Sequence, residues 1–443
     1  MAPASPPSRQ DRPQSGVALL IVLVVLFIVA VLMVDIALTA STARKSASNA
    51  SSDFLMEAVI EGRFQIYAAQ ILYDAGENDT DSANDRWAKE EYADPDTDQK
   101  EAPAYGDGEE DGEAAGVDRD SDQVTIERTI EDEERKFNLY TLLHPDKAVR
   151  AEALQRLAVL IDRYREGTDF DISRTVADQL AEKILLYLER PAPGEGEKGK
   201  IPVPNSGAWR ILTPDELVNA EGLAVDEVDY GPREILYDTW DVEKAAAHAE
   251  DPEGQEAPEA APGLLRYLTL WSGTAWEMKD GEAVVEPDTW RAININTAEK
   301  PVLEALFHAS AADHAFAEKI IEYRDTTAEG EDEEGGETET GTKTTPDKQV
   351  FKNREDLKKV EGIDDAVLSR NGIDAKMVTC QSRTFSLGFL AKHSLEGRVM
   401  AKKQVRYVIR RHSKGFTTLL REERQDPSLE EDQEAAGEGE EEE

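Results

Sequence analysis

An unbroken apolar run from Val17 to Val34 constrains this chain more than any other feature. Its 18 residues carry no charge. A helix needs ~20 such residues to cross about 30 Å of hydrocarbon, and an ordinary secretory signal uses roughly 7–15. Residues 17–40 are therefore read as a single membrane-spanning helix. Arg9 and Arg12 precede it against one acid, Asp11, so the positive-inside rule leaves the leader in the cytoplasm and the body outside. Arg44 and Lys45 follow the span and weaken that contrast. A cleavable signal ending in Ser41-Thr42-Ala43 is the competing reading, and in both cases the body is exported.

No Gly or Pro interrupts Val17 to Glu61, so the helix is expected to run on to about Tyr73. Leu55, Val59, Gly62, Ile66, Ala69 and Tyr73 recur at spacings of four and three, the mark of one buried stripe over residues 41–73. Residues 41–52 are rich in Ser, Thr, Ala and Asn, where a bend or a looser turn is expected.

The body is strongly acidic, with 93 acids against 50 bases and a net charge of −43. Phosphates would be repelled, which opposes a role on nucleic acid or anionic lipid. Cys380 is the one cysteine, so no intramolecular disulfide forms and packed cores must supply the stability. The six His show no paired ligand spacing, and there is no Gly-rich phosphate loop or Gly-x-Ser-x-Gly elbow. No feature points to an enzyme.

Residues 74–122 read as an acidic surface loop, with Trp87 and Tyr92 able to dock it. Val124–Ile130 alternates as a strand, Glu131–Glu134 reads as a solvated turn, and Lys136–Tyr140 as a returning strand, giving a hairpin over 123–140. Residues 141–242 are mostly helical by pattern, with helices at Ala148–Tyr164 and Val176–Leu188 and a third opened by Thr213-Pro214. Residues 243–263 are an Ala/Glu/Pro linker, 264–292 a strand and loop, and 293–380 a second helical unit with an acidic insert at 325–349. Residues 381–411 alternate as a basic C-terminal hairpin, and 412–443 read as an acidic solvated tail.

In this order the pieces resemble the K-type minor pseudopilins of the type II secretion system. The leader ending in Gly16 is similar to a prepilin peptidase site, with Val17 as the first mature residue. The fifth mature residue is Ile21, where most pilins and pseudopilins carry Glu and the K-type does not. Asp132-Glu133-Glu134-Arg135-Lys136-Phe137-Asn138-Leu139 resembles the family's Asp-Glu-x-x-Lys-x-Asn-x-Asn segment, with Tyr140 in place of the second Asn. Ile293-Asn294-Ile295-Asn296-Thr297-Ala298, followed by Val302 to Leu306, resembles its Asn-x-Asn-Thr-Ala…Leu-x-x-Leu block. The Phe385 hairpin fits as well, whereas the acidic inserts have no counterpart in the resemblance.

The resemblance implies an α+β fold: a long N-terminal helix, transmembrane then amphipathic, packed on a small antiparallel pilin-like sheet. A mostly helical region of two SAM-like, helix-hairpin-helix-like units would be inserted between strands. It implies a structural tip subunit of a periplasmic pseudopilus, anchored once in the inner membrane. Its partners would be the I- and J-type minor pseudopilins, the major pseudopilin, prepilin peptidase and the inner-membrane assembly platform, without nucleic acid. A subunit at the filament end has one axial neighbour fewer, so a position-five Glu there would be buried without its amine; Ile21 removes that cost. Asp35, the acid closing the span, is either solvated at the interface or paired with a basic group on another helix.

Two further readings stay open. Phe351…Leu357…Val360-Glu361-Gly362-Ile363, with Lys352, Lys358 and Lys359, also resembles helix-hairpin-helix modules, which makes a membrane-anchored nucleic-acid binder of the competence type the alternative. No cofactor is required, but some family members bind calcium. Asp79, Asp81, Asn84 and Asp85 form the densest oxygen cluster here, and Asp118, Asp120 and Asp122 alternate, neither with the Gly and closing Glu of an EF-hand.

Overall fold

The computed structural model describes residues 15–77, 79–85, 87–89, 122–189, 213–224, 230–239, 260–273, 276–279, 282–285, 287–326, 349–395, 398–413 and 415–424. Most of the leader, Tyr92, Asp118, Asp120, the linker around 191–204, most of 243–263, most of the 325–349 insert and the chain beyond 424 lie outside them.

Helix α1 (Ser15–Glu77) is continuous over 63 residues. At ~1.5 Å per residue it is about 95 Å long. The expected looser stretch over 41–52 is helical throughout. Its hydroxyls bond back to the helix, Thr42 Oγ1 donating to Leu38 O at 2.9 Å and Ser52 Oγ to Ser48 O at 3.0 Å.

The stripe expected to be buried is not the one that packs. Leu55, Gly62, Ile66, Ala69 and Tyr73 are exposed and Val59 is half-buried. The buried face is Ser52, Met56, Ile60, Phe64, Tyr67, Ala68, Ile71 and Asp74, roughly a third of a turn away. The lower helix is apolar on two sides, and its own sheet takes the side with the large aromatic rings.

The described residues form strands β1 (Asp122–Asp132), β2 (Phe137–Asn138), β3 (Leu268–Thr269), β4 (Trp276–Lys279), β5 (Glu282–Val285), β6 (Ile293–Asn294), β7 (Val378–Thr379), β8 (Thr384–Leu395), β9 (Arg398–His412) and β10 (Gly415–Arg424). The main sheet runs β1-β8-β9-β10, antiparallel throughout. Its period-two alternation puts Phe385, Leu387, Phe389, Val405, Tyr407 and Ile409 against α1. Phe64 stacks on Tyr407 at 4.1 Å between centroids and meets Phe416 edge-on at 5.6 Å. Trp87 docks the 79–89 loop edge-on to Phe385 at 5.1 Å, as its sequence position implied.

Four sequence expectations do not hold. The 123–140 hairpin does not form: β1 pairs with β8, and β2 pairs in parallel with β3. The acids between them form an inward 3-10 turn, Glu133–Arg135, rather than a solvated hairpin turn. Leu264–Trp271 is a 3-10 turn followed by the two-residue β3. The tail expected from 412 includes strand β10, which adds Phe416 beside Phe64 before the acidic run begins.

Because β1 and β8 are neighbours, residues 133–383 are inserted between two paired strands. The insertion contains α2 (Lys147–Arg163), α3 (Arg174–Glu189), α4 (Pro232–Leu236), α5 (Lys300–Leu306), α6 (Ala315–Asp325) and α7 (Asp365–Arg370). Asp146, the Thr213/Glu216 capping box and Asp364 start helical segments as their sequences imply. The two expected helical units share one contiguous core, from Leu139 and Leu157 through Leu236 and Trp290 to Phe351 and Leu368. The described residues thus form two cores, one between α1 and the sheet and one inside the insertion that also takes in Val408 from β9.

Candidate functional site

Two places concentrate the residues of interest: the outward face of α1 and the junction where the insertion leaves and rejoins the sheet.

On α1, Gly16 and Val17 lie in the first turn and Ile21 and Asp35 on the exposed upper half. Leu20 to Val34, with Ile36 and Leu38 beyond Asp35, present apolar side chains to the surroundings on a helix long and apolar enough to cross a membrane. The apolar surface continues below the polar stretch with Phe54, 72 % exposed, then Leu55, Ile66 and Tyr73. Ala58, Gly62, Ala69 and Gly76 on the same side keep that face shallow enough for another helix to approach. The inner face is fastened by polar contacts near the point where α1 meets the sheet. Lys403 Nζ, nearly buried, lies 2.7 Å from Asp53 and 3.0 Å from Glu57, Tyr407 donates to Glu61 at 3.2 Å, and Arg421 pairs with Glu57. The basic character of the C-terminal hairpin is largely spent on such internal acids.

At the junction the family-motif residues come together as connectors. Asn294, with no exposed surface, donates through Nδ2 to Asp132 Oδ2 at 3.0 Å, Ser382 Oγ at 2.8 Å and Asp81 O at 3.1 Å. Its Oδ1 accepts the Asn296 N–H at 3.0 Å. Asn296 holds both backbone groups of Phe351, at 2.8 and 2.9 Å, and Thr297 Oγ1 donates to Asp132 Oδ2 at 2.5 Å. The Ala298 N–H bonds Asn294 O at 2.9 Å. Asn138 reaches Ser272 O at 2.5 Å, and Tyr140, in place of the family's second Asn, packs its ring against Trp290 at 5.7 Å.

Sequence reasoning placed Asp132, Glu133 and Glu134 in a solvated turn, but they are 1 %, 0 % and 3 % exposed. The available signal was the run of acids just before Phe137 matched by Arg406, Arg410 and Arg411 on a distant, basic strand. Burial pushes the Glu133 carboxyl up, but Lys136 at 3.2 Å and Arg406 at 3.0 Å outweigh it and hold the group down to about 2. Burial, then the charge of Asp132, pushes Glu134 up to about 8, and burial raises Asp132 as well.

The oxygen cluster is rearranged. Asp79 is exposed and engaged through its backbone O with Gln381 at 2.7 Å, and Asn84 is half-buried. The structure instead gathers Asp74, Asp81 and Asp85, with ligand atoms within 4.8 Å of one another. Burial pushes Asp81 up to about 6 although Arg411 pairs with it. The Ser382 N–H donates to the same Oδ2 at 2.6 Å. Asp85 takes Ser82 N at 2.7 Å and Trp87 Nε1 at 3.2 Å. Arg411 places one positive charge against the cluster, at Asp81.

Near the Glu361-Gly362 turn, two of the three lysines named for the nucleic-acid alternative are ion-paired. Lys358 lies 2.6 Å from Glu355 and 2.7 Å from Asp365, Lys359 lies 2.8 Å from Asp356, and Lys319 Nζ caps Glu361 O at 3.0 Å.

Residues 293–338 match the family described as Type II secretion system (T2SS), protein K. A solved chain of the GspK-GspI-GspJ complex from the enterotoxigenic Escherichia coli Type 2 Secretion System is 15 % identical, with 84 % of this chain and 96 % of that chain covered and a TM-score of 0.42. No curated protein matches the chain. The matched residues contain the Asn294–Ala298 connector, and through it this chain is similar to the K-type minor pseudopilins of type II secretion.

Proposed function

We propose that this chain is a structural minor pseudopilin, placed at the tip of a type II secretion pseudopilus. It would nucleate assembly there and support export of folded proteins across the outer membrane. The observation that carries the reading is the outward apolar face of α1, continuous in type with the exposed span above it. One helix of this kind serves twice: first in the inner membrane, with the body in the periplasm, then against the helices of I- and J-type and major pseudopilins. Ile21, apolar and exposed on that helix, fits an end position that offers no amine to a fifth-residue carboxylate. Prepilin peptidase would cut between Gly16 and Val17, methylate Val17, and leave delivery to the inner-membrane platform. No cofactor, catalysis or nucleic acid enters this reading.

Mass analysis of the mature N-terminus tests it: a chain beginning at N-methyl Val17 is expected. A start at Arg44 or a retained Met1 would overturn the reading. Copurification with the two small minor pseudopilins is expected as well, and Asp35→Ala is expected to weaken entry into the assembly.

A further inference from the structure

Asp132 stands where the chain leaves the sheet for the insertion. Its Oδ2 accepts from Thr297 Oγ1 and Ser382 Oγ, each at 2.5 Å, and from Asn294 Nδ2 at 3.0 Å, while its Oδ1 accepts the Glu134 N–H at 2.8 Å. These donors come from β6 and the turn after it, from the segment just before β8, and from the turn beginning the insertion. Four donors on one carboxylate suit the ionised form.

Glu134 is as deeply buried and less well supplied. It accepts the Thr384 N–H at 3.0 Å and, at the long distance of 3.4 Å, the Gly273 N–H. A carboxyl buried beside an ionised carboxylate with few donors of its own keeps its proton.

We propose that Asp132 and Glu134 form a one-proton latch that clips the helical insertion to the sheet, closed while Glu134 is protonated and loosened once both carboxyls are charged.

The surrounding charges leave the pair with little compensation. From the 79–85 loop, Asp81 adds a like charge, and it is paired with Arg411 of β9. Arg406 of β9 and Lys136 are taken by Glu133 on the neighbouring residue. Arg410 of β9 faces Glu134 and pulls it toward ionisation, itself opposed by Arg383. Burial and Asp132 prevail over Thr384 and Arg410 and push Glu134 up to about 8. Its folded value therefore lies above the ordinary 4.5, so its contribution to stability is complete below about 4.5 and is lost as the pH rises through about 8. The segments it clips, around Gly273, Asn294–Thr297 and Ser382–Thr384, join the two cores, so their release loosens the junction while Val408, Leu419 and Leu420 stay packed on the insertion's core.

The test uses the full-length protein in detergent micelles. Amide exchange, corrected for the intrinsic pH effect, is followed in segments 268–273, 293–298 and 380–386. Protection is expected to fall about tenfold between about pH 6 and about pH 9 in the natural protein, relative to α2, and to stay level in E134Q. In parallel, an infrared band of a protonated carboxyl should titrate near pH 8 in the natural protein and be missing from E134Q. Equal pH dependence in both proteins overturns the latch, and so does level protection in the natural protein. Should E134Q fail to fold, the natural protein decides alone: a titrating band with falling protection supports the latch, and either one missing overturns it.

Discussion

Asn294 satisfies Asp132, Ser382 and the Asp81 carbonyl with one side-chain amide and receives the Asn296 N–H with its oxygen. Removing it orphans several buried groups at once, and an unsatisfied buried donor or acceptor costs about 1–3 kcal/mol. Asn294→Ala is therefore expected to lower stability by about 3 kcal/mol or more, read as a fall in the denaturant midpoint. Glu133 tests the charges. It sits between Lys136 and Arg406, and removing one partner of such a buried group costs about 3–5 kcal/mol. Held down to about 2, below its ordinary 4.5, it contributes fully above about 4.5 and loses that contribution as the pH falls through about 2. The melting-temperature gap between the natural protein and Glu133→Gln should accordingly narrow from about pH 4.5 downward. A gap that stays constant in acid would refute the assignment.

At the scale of elements, α1 has two apolar faces, and only one belongs to its own sheet. Phe64 fills the space between Tyr407 and Phe416, so Phe64→Ala is expected to cost about 3–5 kcal/mol in thermal or denaturant unfolding. Ile66, two residues on, faces outward. Ile66→Glu should leave monomer stability within about 0.5 kcal/mol and still abolish copurification with the minor pseudopilin partners. A stability loss equal to that of Phe64→Ala would contradict the two-face arrangement. The same helix shows what was legible in the sequence. Its length and continuity could be read, since no breaker interrupts Val17 to Glu61 and the charge-free run marks the span. The inward face could not be read, because Leu55, Val59, Ile66 and Tyr73 are as periodic as Met56, Ile60, Phe64 and Ile71, and periodicity does not say which face meets the chain's own sheet. The β1 partner was hidden for a related reason: the strand that pairs with Asp132 begins at Thr384, across the whole insertion, while a plausible return strand stood a few residues away. Strand patterns announce a pleated, half-buried surface and not a neighbour. The acids of the junction looked like a turn because their counter-charges lie on β9, distant in sequence.

At the scale of the molecule, the insertion and the helix–sheet unit meet through the polar junction and through Val408, Leu419 and Leu420, which pack from the far side of the sheet on the insertion's core. The sheet end of α1 begins near Ser52, and about 27 Å of helix separates it from Val34 at ~1.5 Å per residue. The body can therefore stand clear of a bilayer while the upper part of the helix is held in it. If the helix–sheet unit owes its fold to α1 and the four strands, the insertion should be removable. Asp132 pairs with Phe385 at the very end of β1, so a hairpin loop of about four residues can replace 133–383 and still bring β8 into register. The shortened chain loses Ser382 and Cys380, which hold the 79–89 loop, and exposes Val408, Leu419 and Leu420 on the far side of the sheet. It should be less stable than the whole protein, but it keeps Phe64 on Tyr407, Tyr67 near Phe389 and Trp87 on Phe385. The expected outcome is a folded helix–sheet protein with a cooperative thermal transition and near-ultraviolet dichroism from the packed aromatic rings. A chain lacking that tertiary signal would mean that the junction carries the sheet and that the two cores fold as one.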